Sequence, residues 1–162
     1  DTKGASHSLS DFKGKYVVLE WINHGCPFVK RHYDSGNMQK LQKECADKDV
    51  VWLSVCSSCP SKQGHHSAEQ WNKINEQKKS AAAAVLMDEE GAVGRQFGAR
   101  TTPHMFVIDP QGKLIYQGAI DSNPRDPAKA DNYVTAALDA AMKGESVAVT
   151  VTPPYGCGVK YK

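Results

Sequence analysis

The segment around Cys26 constrains the fold more than any other part of the chain. The apolar run Tyr16–Trp21 has the character of a buried strand. His24–Val29 follows it and opens a helical pattern with Pro27, a residue type favoured at the first helical position. A cysteine between a strand and a helix lies at the positive end of the helix dipole, where the thiolate is favoured over the thiol. We therefore predict that Cys26 is reactive. A protonated His24 would lower the pKa of Cys26 further, although a solvated loop position explains His24 equally well.

Five apolar runs predict the strands of one sheet. They are Tyr16–Trp21, Val50–Cys56, Ala84–Met87, His104–Asp109 and Lys113–Gln117. The first two read as apolar runs rather than as alternating patterns, which is typical of strands that are covered on both faces. The turn sequence Asp109-Pro110-Gln111-Gly112 has proline in its second position and glycine in its fourth, so it predicts an antiparallel hairpin between the last two strands.

Helical patterns lie between these runs. They cover Pro27–Cys45 with a bend at Gly36, a segment that starts at the capping box Ser67–Gln70, Asp88–Phe97, and a segment from an Asp126-Pro127 cap to a stop at Gly144. This order predicts an α/β fold in which right-handed crossovers join parallel strands at the centre of the sheet.

We assign His32 to packing and the segment Asp121–Asp126 to a turn, which is a simpler explanation than a cation site.

Length and charge narrow the class of protein. With 162 residues the chain has the size of one domain. We predict a single domain over residues 1–162, whose last part, 147–162, is an irregular tail over the surface. The net charge of +2 is small and the lysines are dispersed, which argues against nucleic-acid binding. No run approaches the roughly 18 apolar residues that a membrane span needs.

The cysteine count is odd, so at least one thiol is free or pairs with another molecule if the others form disulfides. The five are Cys26, Cys45, Cys56, Cys59 and Cys157. Cys45 falls on the apolar face of the first predicted helix, and we assign it to the core. Cys56 and Cys59 have the spacing of redox pairs and metal sites. Because parallel strands end at the same edge of a sheet, we expect this pair near Cys26.

The pair Cys56 and Cys59 has three interpretations. In the first it is a second redox pair that exchanges with Cys26. In the second it binds zinc or copper together with His65 or His66, because thiolate and imidazole suit these metals. In the third the two thiols are unrelated, one closing a strand and the other lying in a loop.

Four segments together resemble the thioredoxin superfamily, in particular its peroxiredoxin-like, redoxin-type branch. They are Leu9–Trp21, Cys26-Pro27-Phe28-Val29, Thr102-Pro103-His104 and Gly156–Lys160, and the likeness covers nearly the whole chain. The resemblance implies a thioredoxin-like fold, a central mixed β-sheet flanked by helices on both faces. It also implies a cis Pro103 beside Cys26, and a Thr102 backbone that holds a substrate peptide as an added strand.

The resemblance breaks at Val29. Thioredoxins have their second cysteine at this position, and typical peroxiredoxins have their peroxide-reactive cysteine there. A resolving thiol is therefore missing from the helix, and the standard peroxidase residues do not match. Relatives often have a cysteine at the position of Cys157, which implies that this tail thiol folds back onto Cys26; a stray surface cysteine is the alternative.

These features predict a thiol–disulfide oxidoreductase or peroxiredoxin-like redox protein. Cys26 would attack a disulfide of a protein or small molecule, or a peroxide, and either Cys157 or the pair Cys56 and Cys59 would release the product. An external thiol would supply the electrons, and no organic cofactor is required.

Two other classes of function remain open. One is a metal-binding protein with ligands drawn from Cys26, Cys56, Cys59 and His65. The other is a binding module without turnover. The resemblance also implies one more strand before Asp1, so we expect a truncation or processing site there. Because many relatives are exported, we expect a periplasmic or secreted location.

Overall fold

A five-stranded mixed sheet, in the order β3-β2-β1-β5-β6, forms the centre of the computed structural model, which describes residues 1–162. The strands are β1 (Val17–Trp21), β2 (Val51–Cys56), β3 (Ala84–Met87), β4 (Thr101–Thr102), β5 (His104–Ile108), β6 (Leu114–Gly118) and β7 (Cys157–Gly158). Strands β1, β2 and β3 are parallel, whereas β5 is antiparallel to both β1 and β6. All five predicted strands are confirmed to within one residue at either end.

The predicted hairpin between β5 and β6 is present. The Gly112 amide donates to the Asp109 carbonyl (2.9 Å) and closes the turn. The Asp109 carboxylate accepts the amides of Gln111 and Lys113 (3.0 and 2.8 Å), so this one side chain stabilises the whole reversal.

Five α-helices cover the sheet. They are α1 (Pro27–Asp34), α2 (Asn37–Asp47), α3 (Ala68–Gln77), α4 (Ala92–Phe97) and α5 (Tyr133–Met142). The predicted bend at Gly36 separates α1 and α2 as two helices. The predicted capping box is confirmed, because the Gln70 amide donates to Ser67 Oγ and the Ser67 amide donates to Gln70 Oε1. None of the helices has the length and apolar character that crossing a bilayer requires.

The prediction that the last helix starts at Asp126 is wrong, because two caps lie close together in the sequence. The Asp126 side chain caps only a short 3-10 turn, Pro127–Lys129. Asn132 then accepts the Thr135 amide through its side chain (2.9 Å) and starts α5.

Helix α4 also begins later than predicted. Asp88 lies before the helix rather than in it, and its carboxylate accepts the amides of Val93 and Gly94 (3.1 and 2.8 Å). The acidic residue therefore satisfies free amides of the first turn from outside the helix.

Side chains of β1 alternate between two apolar layers, one on each face of the sheet. Val18 packs in the larger layer with residues of α1, α2 and α5. Val17, Leu19 and Trp21 pack in the smaller layer, together with Phe97 of α4. The structure therefore confirms an α/β fold with helices on both faces of a mixed sheet.

The tail, residues 147–162, returns across the end of the sheet. The sequence predicted an irregular tail, but two of its residues form the short strand β7. Cys157 pairs with Thr102, and Gly158 pairs with Thr101, in an antiparallel register. The tail thus adds a strand to the loop that precedes β5.

Candidate active site

Cys26 occupies the N-cap position of α1, with Pro27 as the first helical residue, as the sequence predicted. The preceding loop is held by Asn23, whose side chain accepts the Gly25 amide (2.8 Å) and whose carbonyl accepts the Cys26 amide (2.9 Å). The Cys26 side chain is wholly buried. The strand-to-helix junction therefore fixes the position of the sulfur and removes it from bulk solvent.

The loop before β5 lies against this sulfur. The peptide bond between Thr102 and Pro103 is cis. Cys26 Sγ donates to the Thr102 carbonyl oxygen (3.0 Å). The structure thus brings together three of the predicted site residues, Cys26, Thr102 and Pro103. Cys26 and Thr102 are 76 positions apart in the sequence.

Cys157 lies beside the same two elements, because β7 pairs it directly with Thr102. The preceding residue, Gly156, has a φ of 138°, a conformation that L side chains rarely adopt. A Cβ atom at Gly156 would overlap the Thr102 carbonyl oxygen. Close approach of the two backbones therefore requires glycine before Cys157.

The two thiols differ in acidity. Burial raises the pKa of Cys26, but interactions with the Cys157 thiol and the Val29 amide outweigh burial, so that the net pKa is lowered. Burial and the neighbouring Cys26 raise the pKa of Cys157 to about 11. Cys26 is therefore the thiol that ionises first, and Cys157 keeps its proton beside it.

His24 does not act on this thiol as a cation. Its ring packs against Tyr33 and Trp71, with ring centres 4.7 and 5.5 Å apart. Burial lowers the pKa of His24 to about 4, so the imidazole is neutral at physiological pH. The structure therefore supports neither interpretation of His24, because the imidazole is not a cation and is buried rather than solvated.

Cys56 is the last residue of β2, Cys59 lies in the loop that follows it, and both are buried as free thiols. The Cys56 thiol donates to the Gly64 carbonyl (3.4 Å), and burial raises its pKa. The loop after β2 contacts the loop before Cys26, since Gln63 Nε2 donates to a backbone carbonyl there (3.3 Å). The pair is therefore close to the site but is not part of the contact between Cys26 and Thr102.

The zinc or copper site considered for this pair is not assembled. No three histidine, cysteine or acidic side chains are grouped so that they could hold a metal ion. His65, the third ligand in that hypothesis, instead places Nε2 2.9 Å from Glu89 Oε1.

Glu20 is a buried acid that is not among the predicted site residues, although an acidic residue in an otherwise apolar strand is a visible signal. Its Oε2 accepts hydrogen bonds from Trp52 Nε1 (2.9 Å), Ser54 Oγ (3.0 Å) and the Tyr33 hydroxyl (3.2 Å). Burial raises the pKa of Glu20 to about 7, although these bonds act in the opposite direction. Between pH 4.5 and about 7, the folded protein therefore keeps a proton on Glu20 that the unfolded chain releases.

This acid makes stability depend on pH in a predictable direction. Between the ordinary pKa of 4.5 and about 7, only the folded state holds the Glu20 proton, so its contribution to the free energy of unfolding falls as pH rises. Glu20→Gln removes that contribution. We expect the variant to gain up to ~3 kcal/mol relative to the wild type between pH 4.5 and 7.5, measured by urea unfolding. Parallel pH profiles for the two proteins would contradict the raised pKa.

The order of the strands is that of the thioredoxin superfamily. So is the meeting of a cysteine and a Thr-Pro loop at the carboxyl end of the central strand, β1. Residues 1–137 match the model of the Redoxin family, and the chain therefore belongs to that family. The structure and the family confirm the resemblance noted in the sequence. No curated protein sequence matches the chain.

Solved structures agree with this assignment. A hypothetical protein from Sinorhizobium meliloti 1021 is similar over 100% of this chain and 88% of its own, with a TM-score of 0.86 and 24% identity. An uncharacterized conserved protein from Geobacillus kaustophilus is similar over 95% of this chain and 82% of its own (TM-score 0.83, 28% identity). The thioredoxin domain of a thiol-disulfide oxidoreductase from Bacteroides vulgatus is similar over 71% and 77% (TM-score 0.54, 28% identity). At a general level, family and neighbours support a thiol–disulfide oxidoreductase.

Proposed function

We propose that this protein is a thiol–disulfide oxidoreductase in which Cys26 attacks the substrate and Cys157 resolves the intermediate. The observation that carries the proposal is the pairing of Cys157 with Thr102, next to the Cys26 sulfur. The lowered pKa of Cys26 and the raised pKa of Cys157 support this division of roles. Under this proposal the tail belongs to the same domain as the site, and residues 1–162 act as one unit.

The chemistry takes two exchange steps. The Cys26 thiolate attacks one sulfur of a disulfide, forms a mixed disulfide and expels the other half as a thiolate. That thiolate takes up a proton, and Cys157 loses its own. The Cys157 sulfur then attacks Cys26 and expels the second half. The substrate gains two electrons and becomes two thiols, while Cys26 and Cys157 become a disulfide that an external dithiol reduces again.

A disulfide is favoured over a peroxide as the substrate because of Val29. The residue that carries the peroxide-reactive thiol in typical peroxiredoxins is this valine, whose side chain is apolar and buried. With a peroxide, Cys26 would become a sulfenic acid with loss of an alcohol or water, and the Cys157 thiol would then displace water. Both substrates end in the same internal disulfide.

The strand position expected to hold a substrate peptide is already filled. Residues of β7 pair with Thr101 and Thr102, which are the residues an incoming peptide would need. Because Cys26 is buried beneath the same tail, an outside disulfide reaches it only when residues around Cys157 move away. We propose that the tail strand and the substrate exchange places in each cycle.

A single-turnover experiment tests the function. The fully reduced protein is mixed with one equivalent of an aromatic disulfide whose released thiolate absorbs visible light. The wild type is expected to release two thiolates per chain and to lose two of its five free thiols. Cys157→Ser is expected to release one and to keep the other on Cys26. A wild-type chain that releases only one, with a stable adduct, would contradict the proposal.

A further inference from the structure

Tyr155 lies two residues before Cys157 and anchors the tail on α1. Its ring packs against Phe28, with ring centres 5.8 Å apart. Its hydroxyl group reaches between His32, which lies one turn further along α1, and Asp121, which follows β6. Tail, helix and sheet therefore meet at one phenol.

Burial lowers the pKa of His32 and favours the neutral ring, for which the donors and acceptors around this phenol satisfy all three contacts in only one order. The Asn37 side-chain amide lies 2.9 Å from His32 Nδ1, and because an amide nitrogen only donates, Nδ1 is the acceptor. The neutral ring then carries its proton on Nε2 and donates to the Tyr155 oxygen (3.1 Å). Tyr155 in turn donates to Asp121 Oδ1 (2.6 Å). Asn37, His32, Tyr155 and Asp121 thus form one directed chain of hydrogen bonds, the Tyr155 chain.

Because His32 and Asp121 are buried, their hydrogen bonds in the Tyr155 chain are satisfied only when the tail is docked. His32 and Asp121 are 1% and 2% exposed, so water has little access to either side chain. If Tyr155 leaves, His32 Nε2 loses its acceptor. Asp121 keeps only the Asn123 amide (3.1 Å) on Oδ1, and its Oδ2 has no hydrogen-bond partner even in the docked state. Unpaired buried polar groups are costly, so the tail is held in one register.

We propose that Tyr155 is the positioning residue that holds Cys157 against Cys26. This inference rests on the proposed function and adds to it the group that sets the register of the resolving thiol. Residue 156 is a glycine and offers no side chain for anchoring, so the phenol is the nearest side-chain anchor before Cys157.

The quantity that reports positioning is the effective concentration of Cys157 at Cys26. It is measured by equilibrating the protein with glutathione, in which two glutathione thiols reduce the internal disulfide and become one glutathione disulfide. The effective concentration is the equilibrium constant of the reverse direction, in which glutathione disulfide oxidises the two protein thiols and two glutathione thiols are released. This constant has units of concentration and rises as the two protein thiols are better held together.

The test compares Tyr155→Phe with the wild type in this equilibrium. The phenylalanine ring keeps the contact with Phe28 but removes both hydrogen bonds of the hydroxyl group. We expect the effective concentration to fall about 10- to 100-fold. Tyr16→Phe is the matched control. Tyr16 directly precedes β1, packs against the larger apolar layer and makes no hydrogen bond through its hydroxyl group, so this variant is expected to leave the equilibrium unchanged.

A double substitution shows whether the hydrogen bonds of the Tyr155 chain act as a unit. Asp121→Asn weakens the acceptor of the Tyr155 proton, so it should lower the effective concentration by itself. In the Tyr155→Phe background that acceptor has no hydroxyl to bind. The added effect of Asp121→Asn should then be less than about twofold. Fully additive effects would overturn the hydrogen-bonded chain.

A second readout needs no disulfide. In the reduced protein, the rate of alkylation at Cys26 reports how often the tail leaves, and Tyr155→Phe is expected to raise it at least tenfold at constant melting temperature. An effective concentration within twofold of the wild type, or an unchanged alkylation rate, overturns the role of Tyr155. A wild-type protein that forms no internal disulfide, but whose Tyr155→Phe variant is alkylated faster, refutes the resolving role of Cys157 and leaves Tyr155 as the anchor of the tail.

Discussion

Replacing Cys26 by serine is expected to abolish disulfide exchange, with a fall in rate of at least ~10³-fold. The reactive form is a thiolate, and a serine hydroxyl group is not ionised at physiological pH. The serine oxygen is also able to donate to the Thr102 carbonyl, as the thiol does at 3.0 Å, so the fold should survive the change. The rate is measured with the aromatic disulfide under a continuous supply of dithiol.

Cys45→Ala is the matched control for this substitution. Cys45 is also a buried free thiol, but burial raises its pKa to about 11, and it packs in the larger apolar layer. The variant is expected to retain the wild-type rate and to lose only stability. If Cys26→Ser keeps more than a tenth of the activity, another thiol carries the reaction and the assignment fails.

Gly156→Ala is expected to slow formation of the internal disulfide on the order of 10²-fold, while the first exchange at Cys26 continues. A methyl group at this position overlaps the Thr102 carbonyl oxygen, and the φ of 138° is unfavourable for alanine. The tail must therefore shift, and misplacement of a reacting group by about 1 Å is enough for a loss of this size. The measurement is the rate at which the second thiolate is released in a single turnover.

Gly144→Ala separates the two effects of that substitution. Gly144 also has a positive φ, of 74°, but nothing lies near the position of its missing Cβ. It follows α5 and is distant in sequence from β7. The control is expected to cost some stability and to leave the second step unchanged. Equal rates of the second step in Gly156→Ala and the wild type would mean that Cys157 reacts without the strand pairing.

The parts of the site that local sequence patterns define were predicted well. The apolar run before Cys26 and the proline after it place a thiol at a helix start, and both signals lie within a few residues of the sulfur. The five strands were recognised for the same reason. The resemblance added the cis Pro103 and a folded-back Cys157, which no local pattern encodes.

The exact register of contacts between distant segments was beyond the sequence. The register of Cys157 on Thr102 joins residues 55 positions apart, and an isolated Gly-Cys-Gly in a tail carries no periodic signal. The sequence around His32 predicts only packing, and that around Asp121 predicts only a turn, because each residue is ordinary in its own segment. Their importance appears only when Tyr155 from the tail lies between them.

Capping residues explain the remaining differences. Asp126 and Asn132 are both good N-cap residues, and no local pattern favours the second over the first. Glu20 was passed over for a related reason, since the three groups that bind its carboxylate come from α1 and β2. The capping residues and the acidic residue are visible in the sequence. The distant groups that decide where α5 starts and what binds the Glu20 carboxylate are not.

The central claim is that Cys26 and Cys157 form one redox pair, and disulfide mapping by mass spectrometry after stoichiometric oxidation tests it most directly. Trypsin leaves Cys26 in fragment 16–30, Cys157 in fragment 144–160, and Cys56 with Cys59 in fragment 49–62. The account predicts that fragments 16–30 and 144–160 are joined by a disulfide within a single chain. A disulfide inside fragment 49–62, with fragments 16–30 and 144–160 unlinked, would contradict it.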